Sequence, residues 1–328
     1  MKLPLQLLNK FKRTLLARVP NRLKKKLIYY FIRKAPHLQL DDIQSARKKL
    51  NKLTHINPPL PYEGIITEIT AATSIRNTPL RIYTPEYGGP FPVIFYMHGG
   101  GFALGGLQLG DNICRLLSDL TDSVVINIDY GLSPEYKFPS ALQECAEIIQ
   151  WALENAENLH IQRKKIILAG DSAGGNLAAA LSIKLPHEMA IFPIWQILIS
   201  PVVNLNQPAD EKMKNQEELV LSRSGMEKFH QYYFTKPGES SLPYASPLLA
   251  FSEQLTHMSP VILITAEDDP LAEEAFLFAK KTRQAGKAVY HKHYEKLFHD
   301  FPALAGVINE AEDALVYAAE IIRRYSQE

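Results

Sequence analysis

The chain carries residue types that together perform nucleophilic acyl transfer, each placed at the end of an apolar run. Ser172 lies in Gly170-Asp171-Ser172-Ala173-Gly174-Gly175, between Ile166-Ile167-Leu168-Ala169 and the small-residue run Asn176-Leu177-Ala178-Ala179-Ala180. The order reads strand, tight turn, helix. Gly170 and Gly174 stand two residues either side of the serine, where so sharp a turn brings neighbouring backbone too close for side chains. The helix that follows points its positive end at Ser172 and favours negative charge developing there.

Serine attack on a carbonyl further requires a base, an acid to orient that base, and donors for the oxyanion. His98-Gly99-Gly100-Gly101 follows the apolar run Pro92–Met97. Its N–H groups are unobstructed by side chains and suit an oxyanion hole completed by the N–H of Ala173. The acid candidate is Asp269, which ends the run from Val261 to Thr265 and is followed by Pro270; Asp268 and Glu267 compete with it, and spacing does not separate the three. The base candidate is His299 in Leu297-Phe298-His299-Asp300, whereas His291 and His293 fall inside the last strand-like run and read as sheet residues. The order serine, acid, histidine is one of three chain orders in which this triad occurs.

The elements that must hold these residues alternate. Strand patterns at Ile65–Ile69, Leu80–Tyr83, Pro92–Met97, Val124–Ile128, Ile166–Ala169, Trp195–Ile199, Val261–Thr265 and Ala288–His293 are separated by helical segments, including one from Ser140 to about Asn155. Several are apolar throughout, as strands buried on both faces are. About eight strands alternating with helices predict a mostly parallel, doubly wound α/β sheet with helices on both faces. Residues 204–244 interrupt the rhythm, with helical spacing in Met226-Phe229-Tyr232-Tyr233, and read as an insertion above the sheet.

At 328 residues and 46% hydrophobic side chains the chain can bury one large core. A net charge of +1 argues for neither nucleic acid nor an acidic substrate. The distribution is uneven, because residues 1–40 hold eleven Lys and Arg and no Asp or Glu. Two amphipathic helices broken near Pro20 are expected there, Leu5-Leu8-Phe11-Leu15 and Leu23-Leu27-Tyr30-Phe31. They read as helices laid on the body, and their basic face also suits peripheral contact with an anionic membrane. No run approaches a membrane span and no apolar core of an export signal is present, so a cytoplasmic location, peripheral at the inner face of a membrane, is expected. Cys114 and Cys145 fit neither a metal site nor a disulfide framework.

Taken together, His98-Gly99-Gly100-Gly101-Phe102, Asp129-Tyr130-Gly131-Leu132-Ser133-Pro134-Glu135 with Phe138-Pro139, the serine turn, Ser200-Pro201, Tyr244–Ala250, Asp269-Pro270-Leu271 and His299 resemble the hormone-sensitive-lipase family of α/β-hydrolase carboxylesterases. The resemblance runs from about residue 62 to the C-terminus. It implies Ser172 as nucleophile, His299 as base, Asp269 rather than Asp268 as the base's partner, and the N–H groups of Gly100, Gly101 and Ala173 as oxyanion donors. It also implies that residues 1–55 and about 204–244 cap the acyl pocket of a single domain. The chain departs from the family pattern at Gly131, where Arg is usual, at Asp300, where Gly is usual, and at Glu144, where Asp is usual.

The expectation is a serine carboxylesterase that hydrolyses short to medium acyl esters through an acyl-enzyme, with no cofactor and no metal. A small-molecule deacetylase or amidase using the same triad is the alternative, and a ligand-binding protein with a silent triad a third. The histidine is present, which favours the enzyme.

Overall fold

The computed structural model describes residues 19–35, 37–54 and 57–325, so the expected first amphipathic helix lies outside the described residues. Strands β1 (Ile65–Ala72), β2 (Asn77–Thr84), β3 (Phe91–Met97), β4 (Val124–Ile128), β5 (Ile161–Asp171), β6 (Trp195–Ile199), β7 (Val261–Asp268) and β8 (Val289–Phe298) form one sheet. Their order is β1-β2-β4-β3-β5-β6-β7-β8. β1 and β2 run antiparallel to their neighbours, and the other pairings are parallel. This is the mostly parallel sheet the sequence predicts.

The apolar strands are two-faced in space. Val93, Phe95 and Met97 of β3 enter one core, with Ile94 and Tyr96 in the other, as the two-residue period of a strand requires. The first core is closed by helices α4 (Ser140–Glu154), α5 (Ala173–Met189) and α9 (Ala272–Gln284), and the second by α3 (Asp111–Thr121) and α10 (Asn309–Tyr325). Helix α3 forms because Ile113, Cys114 and Leu117 share a buried stripe. Ahead of the sheet come α1 (Asn21–Lys34), starting directly after Pro20, and α2 (Ile43–Thr54). The insertion contributes α6 (Ala209–Lys212) and α7 (Arg223–Tyr233), the latter capped by Ser222, whose side chain accepts from the Gly225 N–H at 3.1 Å. A short α8 (Ser252–Leu255) precedes β7.

β8 runs five residues beyond the stretch the sequence pattern marks, to Phe298. Its polar Lys292, Glu295 and Lys296 break the apolar pattern, but β8 is the last strand of the sheet, where one side meets solvent. The extension delivers His299 at the strand's end. Parallel β3, β5, β7 and β8 therefore present their C-terminal ends, and the loops that follow, on one edge of the sheet.

Two of the departures from the family pattern share a physical account. The Glu144 side chain is fully buried on α4 and accepts from the Gly131 N–H at 2.7 Å, from Arg76 Nε at 2.9 Å and from the Thr78 hydroxyl. Arg76, in the turn between β1 and β2, also donates to the Asp129 carbonyl and stacks 5.7 Å over Tyr136. The positive partner of the buried carboxylate thus comes from residue 76, leaving residue 131 free to be glycine against the Tyr136 ring. Glu144→Ala strips three donors of their acceptor and is expected to cost about 3 kcal/mol. A chemical-denaturation midpoint unchanged from wild type would contradict this.

Candidate active site

The serine turn is as tight as its glycines suggest. A Cβ on Gly174 would stand 1.9 Å from the Met97 carbonyl oxygen, and one on Gly170 2.4 Å from Gly174 backbone. Ser172 sits at φ 52°, ψ −113°, a region costly for a residue with a side chain. The Ser172 N–H donates to the Ile199 carbonyl at 2.8 Å, and the Val202 N–H donates to the Ser172 carbonyl at 3.2 Å, so the end of β6 pins the turn. The hydroxyl does not cap α5; it meets His299 Nε2 at 2.9 Å.

His299 Nδ1 lies 3.0 Å from Asp269 Oδ2, a close polar contact bent from hydrogen-bond alignment. Asp269 is buried, and its other oxygen accepts from the Leu271 N–H at 2.9 Å. The competing acids are occupied elsewhere. Asp268 accepts from the Tyr29 hydroxyl at 2.6 Å and Glu267 from the Lys296 N–H at 2.7 Å. His291 and His293 both meet the Thr265 hydroxyl, at 2.8 and 2.9 Å, inside the sheet and away from Ser172.

The glycine loop is held from three sides. The Gly99 N–H donates to Asp171 Oδ2 at 2.9 Å, and the Tyr96 hydroxyl donates to the other oxygen of the same carboxylate. His98 stacks on Tyr130 with ring centres 4.4 Å apart, and the Tyr130 hydroxyl donates to the His98 carbonyl at 2.7 Å. Gly100 and Gly101 have φ of 115° and 61°, and a Cβ on Gly101 would enter the Phe229 ring. Gly101 and Ala173 border Ser172 along one cavity, and Gly100 and Gly101 border it along a second. Sequence reasoning missed the clamp made by Asp171, although the residue sits inside the motif it singled out.

His299 is surrounded by carboxylates. Burial opposes protonation of His299, but Asp269, then Asp300, and at longer range Asp171 outweigh it and push the imidazole pKa up to about 9. Asp300 stands at φ 59° with Oδ2 3.7 Å from His299 Nε2. Burial and the neighbouring Asp171 carboxylate raise the pKa of Asp300 well above the usual range.

Two cavities of about 500 and about 490 Å³ meet at Ser172. The first is walled by the insertion, including Asp210, Lys212 and His230. The second is lined mostly by apolar residues, including Leu27, Ile28, Phe31 and Ile32 of α1, and reaches His299 and Asp300. Leu221, with Met226 and Phe229 of α7, borders both. Among the described residues no cluster of three or more His, Cys, Asp or Glu side chains could hold a metal ion, and no helix is long and apolar enough to cross a membrane.

Residues 94–303 match the alpha/beta hydrolase fold family, well over half of the chain, and the chain belongs to it. Its relatives include an ethyl acetate hydrolase of Pseudomonas putida, 30% identical over 265 residues that cover 79% of this chain and 83% of that one. An arylesterase of Saccharolobus solfataricus is 32% identical over 244 residues, 74% of this chain and 79% of its own. The solved structure of an esterase from Pyrobaculum calidifontis superposes with a TM-score of 0.80 at 32% identity, covering 87% of this chain and 94% of that one. Within the family the chain falls among the hormone-sensitive-lipase-like carboxylesterases, and the protein is a carboxylic ester hydrolase.

Gly174→Ala forces side-chain atoms into the Met97 backbone, which cannot rotate away, and should destabilise the fold by about 3 kcal/mol. A thermal scan should show Tm falling by several degrees; a melting curve superimposable on wild type would show that the turn relaxes at no cost.

Proposed function

We propose that the protein hydrolyses short to medium acyl esters through an acyl-enzyme formed on Ser172. The observation that carries this reading is the continuous contact from Ser172 Oγ through the His299 ring to Asp269, at the junction of two cavities able to take the two arms of an ester. The relatives support the substrate class, since one is named for the short ester ethyl acetate.

In this mechanism Ser172 Oγ attacks the ester carbonyl carbon while His299 Nε2 takes the hydroxyl proton. The oxyanion is met by the N–H groups of Gly100, Gly101 and Ala173, each donor contributing about 3 kcal/mol to the transition state. Collapse breaks the bond to the leaving oxygen, which receives the proton from His299 and departs as the alcohol. Water then attacks the acyl-enzyme with His299 again as base and releases the acid. Asp269 holds the ring and stabilises the imidazolium formed at each step. Residues 1–55 and about 204–244 act as the cap that shapes the cavities.

Ser172→Ala should abolish turnover of p-nitrophenyl acetate and butyrate and labelling by a fluorophosphonate probe; a variant retaining most of the wild-type rate would overturn the reading. The pH profile offers a second check. The base must be neutral to accept the serine proton, so kcat/KM should rise with pH through about 9. The raised pKa has the opposite effect on stability: its contribution is fully present below the unfolded value near 6.5 and is lost as pH rises through about 9. Asp300→Asn removes one raising charge and should move the rising limb to lower pH. An unmoved limb would mean that Asp300 carries its proton throughout and exerts no field on the ring.

A further inference from the structure

Helix α1 has two unlike faces, and they meet at the mouth of the apolar cavity. Inward, Ile28, Phe31 and Ile32 line the space that ends at Ser172 and His299. Outward, Leu23, Leu27 and Tyr30 are 48%, 38% and 58% exposed, although all three are large and apolar or aromatic. Arg22, Lys26, Arg33 and Lys34 are exposed as well, and the spacing 22/23, 26/27, 30, 33/34 puts all seven on one stripe of the helix. Leu27 and Lys24 also line the cavity, so its opening lies beside that stripe.

Away from the stripe α1 is tied to the body, since Lys25 pairs with Glu310 at 2.5 Å and the Tyr29 hydroxyl donates to Asp268 at 2.6 Å; within the stripe Arg33 pairs with Glu217 at 2.8 Å. Arg22, Lys26 and Lys34 have no acidic partner among the described residues, and the chain has no Asp or Glu before Asp41. Exposed apolar side chains flanked by unneutralised basic ones are the pattern of a helix that lies in a membrane interface. The charge selects an anionic surface, each basic residue near it adding roughly fivefold in affinity.

We infer that α1 docks on an anionic lipid bilayer through Leu23, Leu27 and Tyr30, and that the α1-walled cavity draws its substrate from that bilayer: an ester with one long apolar arm. The second half of this inference rests on the reading of Ser172 as the nucleophile; the docking half does not.

The test uses the full chain and vesicles of phosphatidylcholine with or without phosphatidylglycerol. Flotation should recover the wild-type protein with the anionic vesicles, weakly with the neutral ones, and less as salt is raised. Lys26→Glu with Lys34→Glu should weaken binding by roughly 20-fold or more. Leu23→Glu with Tyr30→Glu should lose binding while turnover of soluble p-nitrophenyl acetate stays within about twofold, because none of these side chains lines the cavity. On p-nitrophenyl decanoate held in anionic vesicles the same variant should fall roughly tenfold. Absence of wild-type binding, or binding by both double variants undiminished from wild type, would overturn the proposal. Ser172→Ala separates the two readings: it should float like wild type and turn over neither ester. Retained turnover by that variant would fail the nucleophile while leaving docking to be judged by flotation alone.

Discussion

The site depends on how closely two parallel strands let their following loops approach. Gly174 lies against the Met97 carbonyl, and Asp171, one residue before the serine, accepts the Gly99 N–H across the same gap. These contacts tie the turn after β5 to the glycine loop after β3. Without the first, the loops could not share the space; the second fixes Gly99, at the start of the glycine loop, to the residue before Ser172. Ser172 can then be held at a costly φ, since hydrogen bonds to Ile199 and Val202 on the β6 side over-determine its backbone. Catalytic geometry here is largely backbone geometry.

Electrostatics complete what packing begins. His299 is buried, which alone would make its imidazolium unfavourable, yet Asp269, Asp300 and Asp171 all face the ring's surroundings and reverse the balance. Burial and the neighbouring Asp171 in turn raise the pKa of Asp300, so its field on the ring weakens as pH falls. Asp171 is anchored by the Tyr96 hydroxyl and the Gly99 N–H, which donate to its two oxygens. Where the family pattern has glycine, this chain therefore places an acid whose pKa is raised first by burial and then by Asp171, the residue before Ser172.

What was legible in the sequence and what was not follow the range of the interactions. All eight strands could be placed because each carries a local run or alternation of apolar residues, and the serine turn and glycine loop could be read because close backbone approach forces glycine at fixed spacing. The acid could not be chosen by spacing, since Glu267, Asp268 and Asp269 are consecutive. They are distinguished only by distant partners: Lys296, Tyr29 and His299. The end of β8 escaped a pattern reading because an edge strand tolerates polar residues. Arg76 as the partner of Glu144 is a contact across 68 residues that no periodicity signals.

The same reasoning explains why substrate choice resides in the helices rather than in the motifs. The cavity walls are fixed by long-range ties: Lys212 to buried Glu274, Arg47 to Glu135 and the Ser133 carbonyl, Arg33 to Glu217, and Tyr29 to Asp268. Tyr29 bonds α1 to Asp268, whose neighbour Asp269 contacts His299, so the helix that helps wall the apolar cavity is tied beside that contact. A shift of α1 would alter the cavity and strain the loop carrying the acid together. Met226 and Phe229 couple the second wall in the same way, since Phe229 occupies the space that a side chain on Gly101 would need. The cavity walls and the glycine loop beside Ser172 are thus in direct contact, so a change at Phe229 bears on both.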